Sequence, residues 1–93
     1  MIIGVCQFTL RLHTTQSLKD KRSIVKGLLS RLRNQLNAGV AELDAHDIWG
    51  KAVIGLSTVS NSEAVIRGIF RDAEYLVNQF PGIEIVDISI SLL

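Results

Sequence analysis

The middle of the chain constrains the fold most. Two strand-like runs stand back to back there, with a helical pattern on the outer side of each. Residues 40–47 alternate, with Ala41, Leu43 and Ala45 on one face and Val40, Glu42, Asp44 and His46 on the other. Residues 51–59, KAVIGLSTV, are apolar almost throughout, the mark of a strand buried on both faces. Asp47-Ile48-Trp49-Gly50 reads as the connection between them, which makes the two runs a hairpin. The polar run belongs at a sheet edge, where its charges discourage wrong pairing, and the apolar run belongs inside.

Before the hairpin, Leu18, Val25, Leu28, Leu29, Leu32 and Leu36 recur at steps of three and four, the apolar stripe of a helix. Ser17 caps that helix, with Asp20 three residues on, and Asn37-Ala38-Gly39 ends it with Gly39 as a left-handed cap. After the hairpin, Ser60 and Glu63 form a capping box. The second helix carries Val65, Ile66, Ile69, Phe70, Ala73, Leu76, Val77 and Phe80 as its stripe, and Pro81-Gly82 stops it. The outer segments alternate. Residues 2–13 put Ile2, Gly4, Cys6, Phe8, Leu10 and Leu12 on one face, and residues 83–92 put Val86, Ile88, Ile90 and Leu92 on one face.

The order is therefore β-α-β-β-α-β. Short connections and right-handed crossovers turn this order into an α+β, ferredoxin-like βαββαβ sandwich. Residues 1–93 are expected to form a single domain: a four-stranded antiparallel sheet in the order 4-1-3-2, with two helices on one face.

Charge and cysteine usage narrow the function classes. Ten Lys+Arg against nine Asp+Glu leave a net charge of +1, so no global field draws the chain to nucleic acid or membrane, and any basic feature is local. One cysteine, Cys6, excludes an internal disulfide and a Cys-based zinc site, and suits a reducing cytoplasm. The start MIIGVCQFTLRLH lacks the cationic and long apolar regions of a signal peptide. No run is long enough to cross a bilayer, so no membrane partner is expected.

The local basic feature is QSLKDKR, Gln16 to Arg22, at the start of the first helix. Cations are slightly unfavourable at this positive end of the helix dipole. At about 100° per residue, Lys19, Arg22, Lys26 and Arg33 share one narrow face beside the leucine stripe, while Lys21 projects toward the leucines. Such a run is commonly a solvated flank; read functionally, it is a cationic stripe suited to a phosphate backbone. Lys19, Lys21, Arg22, Lys26 and Arg33 are thus the candidate nucleic-acid-binding residues. Topology puts the helix start and the hairpin at one end of the domain. Asp44 and Asp47 are then candidate neutralisers of the cations, and Trp49 a candidate cation–π partner. Ser17, Lys21, Arg22 and Trp49 form a second candidate site, for a small anion.

Other signals are weaker. Glu42, Asp44 and His46 share a strand face that could hold a metal, but dedicated zinc sites show more His or Cys, and no metal or cofactor is assigned. Cys6 alternates inward and reads as a small core residue. Ser23 to Lys26 spells S-x-x-K without its companion motifs. No catalytic constellation appears, and no enzyme is expected. The open sheet face lacks aromatics on its first strand, against sheet-face RNA stacking. With Ile3 and Val5 exposed there, the face predicts a homo-oligomer, a dimer first.

SLKDKR, the leucine helix with RLRNQLN, VAELD, the D-x-W of Asp47 to Trp49 and AVIGLSTVSN together resemble the YlxP-like family, a bacterial domain of unknown function, over essentially the whole chain. Gln16 stands where that family often has His before S-L-K, so histidine chemistry does not carry over to this position. The resemblance implies the ferredoxin-like fold and a bacterial cytoplasmic protein. The family's genes often lie beside those for translation initiation and ribosome-maturation factors, which implies association with ribosomal RNA or the ribosome. It implies no activity, cofactor or catalytic residue. The leading expectation is a non-enzymatic accessory protein touching ribosomal RNA through the basic stripe. The alternative is an oligomeric module that binds a small anionic ligand beside the hairpin.

Overall fold

The computed structural model describes residues 1–46 and 48–93. Strand β1 (Ile2–Leu12), helix α1 (Leu18–Gln35), strands β2 (Gly39–Asp44) and β3 (Lys51–Ser60), helix α2 (Glu63–Asn78) and strand β4 (Ile83–Leu92) follow in the expected order. The sheet runs β2-β3-β1-β4 with every neighbouring pair antiparallel. Cys6, Phe8 and Leu10 of β1 and Ala52, Ile54 and Leu56 of β3 are buried beneath Val25, Leu28 and Leu32 of α1 and Ile66, Phe70, Ala73 and Val77 of α2. The alternation of the strands and the stripes of the helices meet in this one core.

Helix ends depart from the sequence reading in two places. Helix α1 stops at Gln35 and Leu36 is its extended cap, so Gly39 is not a left-handed cap but the first residue of β2. Helix α2 is capped by Ser62, whose Oγ accepts the Val65 N–H at 3.3 Å, and not by Ser60. Glu63 therefore occupies the first helical position, too early to close a capping box, and pairs one turn on with Arg67. Gly82 does stop the chain after α2 in the left-handed region, at φ 75°.

Two β-bulges reset side-chain parity. In β2 the register slips between Glu42 and Asp44, leaving Leu43 as an extra residue opposite β3. Across β1 and β4 it slips at Thr9/Leu10, leaving Val86 as the extra residue. Val86 thereby leaves the face of Ile88, Ile90 and Leu92 and joins Thr9, Arg11 and Lys51 on the open face. Ile83 and Ile85 take the core side instead.

The open face is graded along the strands. At one end Ile3 lies between Val59 of β3 and Leu93, with which it exchanges two backbone hydrogen bonds. At the other end Arg11 lies opposite Lys51 and Glu84. Between them, Leu43 folds over Gly55, where a Cβ would stand 2.9 Å from Leu43 Cγ. A shallow apolar groove of about 400 Å³ opens beside this contact, lined by Val5, Gln7, Ala41, Leu43, Gly55 and Ser57 among others.

Candidate nucleic-acid interface

The start of α1 and the β2–β3 hairpin do share one end of the molecule, but the charges pair differently from expectation. Lys21 is 1% exposed. Its Nζ lies 3.1 Å from Glu42 Oε2 and donates a hydrogen bond to the Ala45 carbonyl. The neutralising carboxylate is thus Glu42. Asp44 is turned to its own chain, with Oδ1 accepting the Ala45 N–H at 2.7 Å, and Asp47 lies outside the described residues. The physical reason is the β2 bulge. It keeps Glu42 on the helix side, opposite Ile54, and moves Asp44 into register with Val53. Ala45 then turns through a positive φ of 63°, with its carbonyl on the lysine. Lys21 is therefore withdrawn from both candidate sites, because a buried and paired ammonium cannot meet a ligand.

Helix phase sorts the remaining cations. Arg31 lies over the Phe80 ring, 5.8 Å from its centroid, on the side of α1 that faces α2. Among the described residues this is the cation–π contact found, in place of one on Trp49. Arg33 lies on the opposite flank, where Nη2 donates to the Val40 carbonyl at 2.9 Å. The basic stripe therefore runs along the β2 side of the helix layer. Arg33 is partly committed to β2, while Lys19, Arg22 and Lys26 are exposed and, among the described residues, enter no ion pair. Ser17 caps α1, its Oγ accepting the Asp20 N–H at 3.1 Å, and Asp20 accepts the Gln16 N–H at 3.2 Å. The helix start thus brings its own carboxylate. Of the four small-anion candidates, Arg22 and Trp49 are left uncommitted.

The connection between β1 and α1 carries a residue that pattern reading missed, and it fastens the hairpin. Thr15 is 2% exposed. Its Oγ1 lies 2.5 Å from the Trp49 carbonyl and 3.2 Å from that of Leu12. A hydroxyl has one proton, and the shorter contact takes it. The Leu12 N–H donates to the Gly50 carbonyl at 3.0 Å, and the Ile48 N–H to the Ala45 carbonyl at 3.0 Å. Only a polar pair before a cap, Thr14-Thr15, marked this position in the sequence, and such pairs are common in loops.

The other candidates resolve simply. Cys6 is sealed in the core, where desolvation, and then the Glu74 charge, push its thiol up to about 11. His46 Nε2 stands 4.0 Å from Glu42 Oε1, but the bulge takes Asp44 out of their set. Among the described residues no three His, Cys, Asp or Glu side chains converge as metal ligands. His13 and Arg11 both meet Glu84 Oε1, at 2.7 and 3.6 Å. Among the described residues no helix is long and apolar enough to cross a membrane.

Fold and register together define a ferredoxin-like α+β sandwich with antiparallel order β2-β3-β1-β4. Residues 3–90 match the model of the family described as Protein of unknown function (DUF503), and the chain belongs to that family. It is similar to the Uncharacterized protein YlxP of Bacillus subtilis (strain 168), 28% identical over 83 residues, covering 89% of this chain and 90% of that protein. Among solved structures, De novo designed protein Foldit4 matches with a TM-score of 0.54 at 11% identity, covering 98% of this chain and 96% of that one. The solution NMR structure of the designed ferredoxin-fold protein LFR1 1 matches at 0.50 with 14% identity, covering 100% of this chain and 83% of that one. Both likenesses concern the fold alone.

Proposed function

We propose that this chain is a bacterial cytoplasmic accessory protein, not an enzyme, that holds ribosomal RNA or a ribosomal particle by its phosphate backbone along α1. The observation that carries the reading is the exposure of Lys19, Arg22 and Lys26 on one helix face, with Arg33 in line and Lys21 removed to the interior. Such cations position a backbone and read no sequence. The competing small-anion reading retains only two of its four residues and is the weaker.

Fluorescence anisotropy with a labelled ribosomal RNA fragment tests this. Three contacts to single-stranded RNA at roughly 0.7 each give a log–log salt slope of about −2. Replacing Lys19, Arg22 and Lys26 together by Glu should abolish binding while leaving the unfolding midpoint near wild type. Absence of binding by the wild type at low salt would sink the reading.

A second reading concerns assembly. The row Leu93–Ile3–Val59 crosses three strands, with Val5 beside it, and Leu93 and Val59 are 75% and 55% exposed. We infer that a second copy covers this apolar end in a two-fold dimer. Sedimentation of the wild type against Val5→Glu should separate dimer from monomer; a monomeric wild type at high concentration overturns the inference.

A further inference from the structure

We infer that the RNA bound along α1 is single-stranded and that one of its unpaired bases stacks on Trp49. The inference rests on the phosphate-backbone reading and deepens it. It starts from a mismatch in the hairpin between backbone order and side-chain exposure. Trp49 is 49% exposed and its neighbour Ile48 is 53% exposed, whereas Phe8 and Phe70 are 0% and 2% exposed. Yet the backbone beneath the indole is held by two buried polar side chains. Thr15 fastens the Trp49 carbonyl and Lys21 fastens that of Ala45. A loop anchored at both ends, with its aromatic left outside, presents that ring at low entropic cost to a ligand.

The same two anchors set what lies beside the ring. Thr15 and Lys21 bracket the segment that opens α1, so the hairpin stands along the helix turn carrying Lys19 and Arg22. Cations that track a backbone, next to an aromatic face that accepts any base, are the two components of sequence-tolerant single-strand binding. A duplex would satisfy the cations but keep its bases paired and away from the ring. Among the described residues the hairpin's acids are placed compatibly: Glu42 is paired to Lys21, and Asp44 lies in register with Val53 on the open face, away from the helix side.

The test uses the full chain, an unstructured oligouridine, a duplex RNA of equal length and anionic phosphatidylserine vesicles, with Trp49 fluorescence as one readout. Oligouridine should quench Trp49 and bind more tightly than the duplex. Trp49→Ala should weaken oligouridine binding about tenfold and leave the salt slope unchanged, because it removes stacking and no charge. Trp49→Phe should recover most of that loss, and both variants should keep the wild-type circular dichroism. If neither RNA binds, the backbone reading falls and this inference with it. If both RNAs bind equally and Trp49→Ala changes nothing, the backbone reading stands and this inference alone is overturned. A blue shift of Trp49 on the vesicles, without oligouridine binding, overturns it in favour of a membrane surface.

Discussion

Two ion pairs of nearly equal length sit in opposite surroundings. Lys21 and Glu42 meet at 3.1 Å with side chains 1% and 18% exposed. Glu63 and Arg67 meet at 2.9 Å with side chains 56% and 52% exposed. Distance alone would rank them together. The first pair joins α1 to the edge strand and has little water to fall back on, so each partner depends on the other. The second is a one-turn helix pair whose partners are hydrated whether or not they meet. A short contact is thus a poor guide to worth; the solvent that either partner would regain on separation decides it.

This contrast can be broken experimentally. Lys21→Ala should be the most damaging change, about 3–5 kcal/mol in urea unfolding, since it strands the Glu42 carboxylate beneath α1, while the Ala45 carbonyl keeps the Ile48 N–H. Thr15→Val should cost about 1–3 kcal/mol by leaving the Trp49 carbonyl without its donor. The double replacement Lys21→Met with Glu42→Leu should return to within about 1 kcal/mol of wild type, because an apolar pair needs no countercharge. A double variant as unstable as Lys21→Ala would show that the contrast lies in packing and not in charge. Arg67→Ala should move stability by at most about 0.5 kcal/mol. Smallest of all near neutrality is the effect of pH on Cys6. Its thiol should resist a maleimide in the native state at pH 8. Above pH 9.0 the unfolded chain ionises this group while the folded chain holds the proton to about 11, so stability should fall as pH rises through that window.

Most of the architecture was legible because periodicity reports burial directly. Phe8, Leu10, Ile54, Leu28 and Phe70 all occupy the core that their spacing implied. What escaped were events of one residue. The bulge at Leu43 leaves composition untouched but breaks the parity that grouped Glu42 with Asp44 and His46, and so hides the true partner of Lys21. The bulge at Val86 moves that side chain to the open face for the same reason. Ser60 and Ser62 both have the chemistry of a cap, and Glu63 made the wrong one look complete. At the candidate interface, exposed Lys19, Arg22 and Lys26 could be read from helix phase. The withdrawal of Lys21 could not, since phase says where a side chain points and not whether a countercharge waits there.

The bulge in β4 also bears on how the molecule survives crowding. β4 is the longer of the two free edges, and IEIVDISISL contains no Lys, Arg or Pro, the residues that commonly spoil an edge for a passing strand. Val86 interrupts its otherwise regular ladder and adds local twist, so an incoming chain meets a broken template. Deleting that single residue would straighten the edge and should shorten the lag of fibril growth followed by thioflavin fluorescence. One extra valine, beside the charges of Glu84 and Asp87, thus makes this edge a poorer template for a further strand.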